Sequence, residues 1–281
     1  MDRDPPLQYT SVFGEILANV WQAMGIRVYV TGRVAVEVDG QVVIDERRFR
    51  GKQGRLFFAY LVCERSRPVA KEELALVLWP EEQSDAWEAA LSALTSRLAA
   101  LLSSEGLEDL GMSFSRQFGQ YQLKLPSDSW VDIEAGNSAL DRAEAAVRNN
   151  EARNALGPTA VAASIARRPF LPGVDGFWRE SLQGKLDRQL VRALDCLGEM
   201  QLKIGELQTA LESALEAIKL DPYRERTHRA LMRAYAATGN RAKAVPPTTS
   251  SGSCWPPKSA QTRSRRPRRC TWRFWVKRAA A

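Results

Sequence analysis

Short runs of period two from Ile26, three helical stretches and a hairpin around Phe118-Gly119 predict an α+β winged helix. From Asp132 onward the apolar period is 3.6, which predicts an all-α, tetratricopeptide-like helical domain after it. The two halves therefore divide as residues 26–126 and 130–245, with an N-terminal extension over 1–25 and a basic tail over 246–281.

Each element has its own signal. "SVFGEILANVWQAM" within the extension has the pattern of a short amphipathic helix without chemistry. "IRVYV", "RVAVEV" and "QVVI" are β-branched or alternating, and Asp39-Gly40 is a tight-turn dipeptide, so three antiparallel strands are expected. The alternation around Arg47 to Arg50 suggests a fourth. Gly54 to Glu64 reads as a buried helix, broken at Arg67-Pro68-Val69, and Lys71 to Leu78 as a second helix stopped by Pro80. Ser84 or Asp85 is the expected N-cap of a third helix running through Leu102. Its apolar stripe is Trp87, Leu91, Leu94, Leu98 and Leu101. "MSFSRQFGQYQLKL" then gives two strands of a hairpin.

In the second half, helix breaks are expected at Asn149-Asn150, Gly157-Pro158, residues 167–176, Gly205, Asp221-Pro222 and Gly239-Asn240. Gly205 and Gly239 are 34 residues apart, as are Ala210 and Ala244, the spacing of a tetratricopeptide repeat. Gly198, Ala210 and Ala217 fall on its small-residue positions, where paired helices approach closely. Gln201 stands where the repeat usually has an aromatic, and Tyr235 supplies one in the next copy.

The totals exclude several classes. The chain carries a net charge of +7, but residues 246–281 hold nine Lys and Arg and no acid, leaving 31 basic against 33 acidic side chains in the body. The bulk charge thus says little about the folded part. Four scattered cysteines without Cys-x-x-Cys spacing or histidine partners favour neither zinc nor a disulfide framework. No secretory pattern opens the chain and no apolar run reaches membrane length, so a cytoplasmic, membrane-free protein is expected. There is no nucleophile elbow or dinucleotide fingerprint, and lone His228 has no catalytic partner nearby in the sequence. Neither an enzyme nor a cofactor is expected.

If the third helix reads DNA, the side away from its leucines carries Glu88, Ala89, Ser92, Thr95, Ser96, Ala99 and Ala100, with Arg97 near the edge. Serine and threonine can bond bases or phosphates, yet this face is thin in the cations that dominate affinity. A richer cluster, "RRFRGKQGR", holds Arg47, Arg48, Arg50, Lys52 and Arg55 at the junction of the sheet and the first helix, where a helix N-terminus favours phosphate and Gly51 and Gly54 let backbone approach it. It lacks the Gly-Lys-Ser/Thr ending of a P-loop. Arg116 and Lys124 in the hairpin complete the candidate phosphate contacts.

Six stretches in this order carry a family resemblance over residues 26–245: "VTGRVAVEVDGQVV", "RPVAKEELALVLWPEE", "LSALTSRLAALL", "WVDIEAGNSAL", "GFWRESLQGKLDRQLVRAL" and "DPYRERTHRALMRAYAATGNRAKAV". The chain resembles the Streptomyces antibiotic regulatory protein family, its first half a response-regulator-type winged helix and its second half a bacterial transcriptional activator domain. The resemblance implies a transcription regulator that binds promoter repeats in double-stranded DNA, often as a homodimer, and helps recruit RNA polymerase. Family members usually carry basic residues where this chain has Ala99 and Ala100, and often one at the place of Glu88.

The tail departs from that pattern. Read one nucleotide out of register, Cys254-Trp255 forces a leucine, Trp255-Pro256 an alanine, Phe274-Trp275 a leucine and Trp275-Val276 a glycine. A permitted choice of the remaining codons from Pro247 gives a helix, a turn and a second helix, as the family has there. The tail is thus read as a disordered frameshift product, against a genuine basic arm stacking its tryptophans on bases. Two functional classes stand: a DNA-binding transcription regulator, and a protein-interaction adaptor whose winged helix no longer binds DNA specifically. A truncated, non-functional product is the third.

Overall fold

The computed structural model describes residues 25–80 and 86–240. The expected N-terminal helix, the Ser84 and Asp85 caps and the basic tail lie outside the described residues. The chain divides into two compact units, the first reaching to Ala139 and including Ser164–Arg188, the second comprising Leu140–Ala163 and the residues from Gln189 on.

In the first unit, β1 (Ile26–Tyr29), β2 (Ala35–Val38) and β3 (Gln41–Ile44) form the expected antiparallel strands. Asp39 and Gly40 both have positive φ, the backbone that a two-residue turn between right-twisted strands requires. A two-residue strand, β7 (Trp130–Val131), adds in parallel to β1, so the sheet order is β3-β2-β1-β7. No fourth strand forms at Arg47 to Arg50. A 3₁₀ turn, Glu46–Phe49, stands there instead, because the Asp45 carboxylate accepts from the Arg47 and Arg48 amides and bends the chain out of extension. Phe49 drops into the core and stacks on Phe58, with ring centroids 4.6 Å apart.

Three helices follow: α1 (Lys52–Cys63), α2 (Lys71–Leu78) and α3 (Trp87–Ser104). Leu56 through Val62 of α1 are all buried, which makes it the central helix of the unit. The hairpin β5 (Ser113–Gln117) and β6 (Gln120–Lys124) turns at Phe118 and Gly119, both with positive φ, and pairs with β4 (Val69–Ala70) in a second sheet of order β4-β6-β5. One continuous core unites these pieces around Phe57, Phe58, Leu61, Leu74, Leu91 and Leu102.

The helical half contains α4 (Asp132–Arg148), α5 (Ala152–Ala166), α6 (Phe177–Ile204), α7 (Leu207–Leu220) and α8 (Glu225–Ala237). The expected break at Gly157-Pro158 does not occur. Pro158 lies inside α5, where the carbonyl it leaves without a donor is that of solvent-exposed Asn154. The breaks at Asn149-Asn150, 167–176, Gly205 and Asp221-Pro222 fall between helices, and Gly239-Asn240 follows the end of α8 at the last described residues. Ala210 and Ala217 of α7 are buried, and a Cβ added to Gly198 of α6 would stand 3.7 Å from the Ala210 carbonyl, so small residues do let these helices approach. Gln201, in place of an aromatic, accepts from the Ser213 hydroxyl at 2.8 Å. Tyr235 is buried against Ile218 and Leu231.

Candidate nucleic-acid interface

Helix α3 presents two unlike sides. Leu91, Leu94, Thr95, Leu98 and Leu102 face the core, while Glu88, Ala89, Ser92 and Ser96 are exposed. The apolar stripe ends on Leu102, with Leu101 only half-buried. Thr95 is a correction to the expected reading face. It is 1% exposed and its hydroxyl is spent on the Ser92 carbonyl at 2.8 Å, because a residue four after Leu91 and three before Leu98 must lie on their side.

The hairpin is tied beside the exposed side. Arg116 Nη1 donates to Ser96 Oγ at 3.3 Å, and the Lys71 amide donates to the Gly119 carbonyl at 3.0 Å. Ser92, Ser96 and Arg116 thus share one surface, and Lys124 stands exposed on β6 of the same hairpin. Glu88 is paired with Lys71 at 2.7 Å, and this carboxylate holds the Lys71 ammonium above its ordinary pKa. Lys71, absent from the sequence-based candidates, thereby offsets an acid that opposes phosphate. The lone signal for it was its place at a helix start after a strand.

The junction cations sort into two groups. Arg48 pairs with Glu105, Lys52 with Asp175 at 3.6 Å, and Arg55 donates to the Pro172 carbonyl at 3.2 Å while pairing with Glu46. These three are held by the protein itself. Arg47 and Arg50 are exposed and make no ion pair among the described residues. Arg50 has a left-handed backbone, φ 50°, which turns the chain sharply into Gly51. Gly54 serves packing rather than an approaching phosphate: a Cβ there would lie 1.8 Å from the Phe49 carbonyl oxygen.

Arg97, at the edge of the exposed side, meets Arg47 and Arg50. An open groove of about 460 Å³ runs between the 3₁₀ turn and α3, with Arg47, Arg48, Arg50 and Arg97 among its lining and no acid. Ala100, one turn on from Ser96, belongs to the same lining, so the two surfaces adjoin along α3. Among the described residues no helix is long and apolar enough to cross a membrane.

Comparison with known proteins bears on the second half and on the fold. Residues 131–246 match the bacterial transcriptional activator domain. The fold is similar to that of Mycobacterium tuberculosis EmbR, in a structure described as a complex with a low affinity phosphopeptide, with a TM-score of 0.68 at 21% identity. The EmbR match covers 79% of this chain and 57% of the EmbR chain, and at that identity it speaks for the fold: a winged helix followed by a helical domain. No curated protein sequence matches the chain.

Proposed function

We propose that this chain is a transcription regulator of the antibiotic regulatory protein type, which binds promoter DNA through its winged helix and contacts protein partners through its helical repeats, acting in the cytoplasm without catalysing a reaction. Residues 26–126 carry the DNA contact, and residues 130–245 carry dimerisation or contact with RNA polymerase. The observation that supports this most directly is the shared surface of Ser92, Ser96 and Arg116, where helix α3 and the hairpin are bonded together. Ser92 and Ser96 reach base edges in the major groove, while Arg116, Lys124 and Lys71 take phosphates.

The adaptor reading has one observation in its favour. Glu88, Ala89 and Ala100 are exposed on α3 and offer nothing to phosphate. Duplex binding by the full chain separates the two, using the gene's upstream region over a salt series with unrelated duplex as competitor. A regulator shows binding that survives the competitor and falls steeply with salt. Replacing Arg116 with alanine then lowers the salt slope by about one, and Ser92→Ala with Ser96→Ala lowers sequence preference. Binding that the unrelated duplex removes completely assigns the affinity to nonspecific attraction, and the adaptor reading replaces the regulator reading.

A further inference from the structure

The groove beside the 3₁₀ turn has a chemistry that the DNA reading leaves unused. We infer that it is a docking site for an acidic, amphipathic segment of a partner protein, with carboxylates meeting Arg47, Arg50 and Arg97 and an apolar side chain lying on the α3 flank. The inference is independent of DNA binding.

Three observations carry it. The lining combines four arginines with an apolar floor of Leu94, Leu98, Leu101 and Phe57, and contains no acid. Arg47, Arg50 and Arg97 make no ion pair among the described residues, so their charge is available to a ligand. Arg48 of the same lining is already matched to Glu105, which shows the geometry in which this surface accepts a carboxylate.

Charge complementarity therefore selects an anion, and the floor selects its kind. A phosphodiester backbone has no apolar group to set on Leu98 and Leu101. A helix or extended segment bearing Asp or Glu on either side of a Leu or Phe has both, and arginine forks bind carboxylates in a bidentate way. Exposed Ala100 and half-buried Leu101 leave the flank low enough for such a side chain to lie across it. The groove is open rather than enclosed, which suits a segment of chain better than a small metabolite.

The test is a selection of random dodecamer peptides displayed against the full chain, followed by fluorescence anisotropy with the enriched sequences. The expected winners carry at least two Asp or Glu around a large apolar residue. Arg97→Ala weakens them by about tenfold, and Arg47→Ala with Arg50→Ala by more, as expected for lost charge-assisted hydrogen bonds. Arg116→Ala and Lys124→Ala leave them unchanged. Ala100→Glu, a change at an exposed helical position that preserves the fold, places an acid in the groove and also lowers affinity. Enrichment of sequences without acids overturns the inference. So do winners that bind the arginine variants and the Ala100→Glu protein as well as the original, which assigns them to another basic surface. Displacement of the winners by duplex DNA, together with equal loss of DNA and peptide in Arg97→Ala, assigns the groove to nucleic acid and also overturns it.

Discussion

The two compact units fill their cores with different mixtures of side chain. The first buries Phe57, Phe58, Phe170, Leu61, Leu74 and Met112 in one continuous core. In the second, α6, α7 and α8 bury Gly198, Ala210, Ala214, Ala217, Ala230 and Ala234 beside larger residues such as Leu190, Leu194, Met200, Ile218 and Leu231. A core of large side chains depends on volume being present, so it suffers from truncation. Helices brought close by alanine depend on volume being absent, so they suffer from enlargement. The difference teaches where each unit tolerates change: a winged helix can vary its surface over a fixed core, whereas a helical repeat must keep its small positions small.

Phe57→Ala gives the largest effect if this contrast holds. The ring is 1% exposed and packs edge-on against Phe114, centroids 6.1 Å apart, linking α1 to the hairpin. A loss of about 3–5 kcal/mol is expected, seen as faster amide exchange across residues 52–63 and in β5 and β6. A loss under about 1 kcal/mol, the range of tolerated swaps, would break the contrast at its stronger end.

Next in size is Asp195→Ala in the second unit. The Asp195 carboxylate, on α6, accepts from Arg224 Nε at 2.7 Å and from the buried Thr227 hydroxyl at 2.8 Å. This is a polar fastening between α6 and the start of α8. Its removal leaves Thr227 without an acceptor and Arg224 without a counter-charge, a cost of about 2–3 kcal/mol. Thermal unfolding followed by exchange in residues 207–237 measures it. Asp195→Asn, which keeps an acceptor, recovers part of the loss.

Ala217 tests the contrast in its sharpest form. The residue is fully buried in α7. Enlargement to leucine is expected to cost about 1–3 kcal/mol by overpacking. Truncation to glycine costs only about 1 kcal/mol, mostly from helix propensity. In the first unit the corresponding pair of changes has the reverse order. If Ala217→Gly proves the more damaging, the repeat is not held by close approach, and the small-residue pattern has another cause.

Legibility in the sequence follows the length of the pattern. Helix α2 was readable to the residue because Pro68 and Pro80 bracket it, and α3 was readable as a helix because its leucines recur over about three turns, although it runs on to Ser104. Two-residue strands β4 and β7 have no period to read, since their existence depends on partners found only in the folded chain. The 3₁₀ turn was misread because Arg47-Arg48-Phe49-Arg50 alternates like a strand, although Asp45 ahead of it was a legible capping signal. Thr95 was placed on the reading face by its polarity when spacing alone put it among the leucines. Pro158 sits within α5, where the carbonyl it orphans belongs to exposed Asn154. The basic cluster was visible, but its division was not. Which of its cations are held by Glu46, Glu105, Asp175 and Pro172 depends on contacts spanning up to 123 residues. Arg97's company with Arg47 is of the same kind.

The smallest expected effect concerns acid. Arg192 holds the Glu144 carboxyl below the usual range, with Arg148 and Arg226 adding to the attraction. The pair is bidentate, both contacts at 2.9 Å, and lies within the second unit. A carboxyl with a lowered folded pKa contributes stability above its unfolded value near 4.5, and that contribution disappears as pH falls through the folded value. Both side chains are partly exposed, so solvent screening limits the contribution to a few tenths of a kcal/mol up to about 1. Arg192→Met keeps the stem that packs on the helix and removes the charge. It should therefore lower stability near neutral pH and converge with the original protein once Glu144 is protonated in both. Glu73 in the first unit is lowered likewise, chiefly by Arg67 and with help from the Tyr60 hydroxyl. Arg67→Met should then reproduce the same convergence in the winged helix but as a smaller fraction of its stability, because there the aromatic core supplies most of it. Equal fractional losses in the two units would mean that the difference between their cores does not reach their stability.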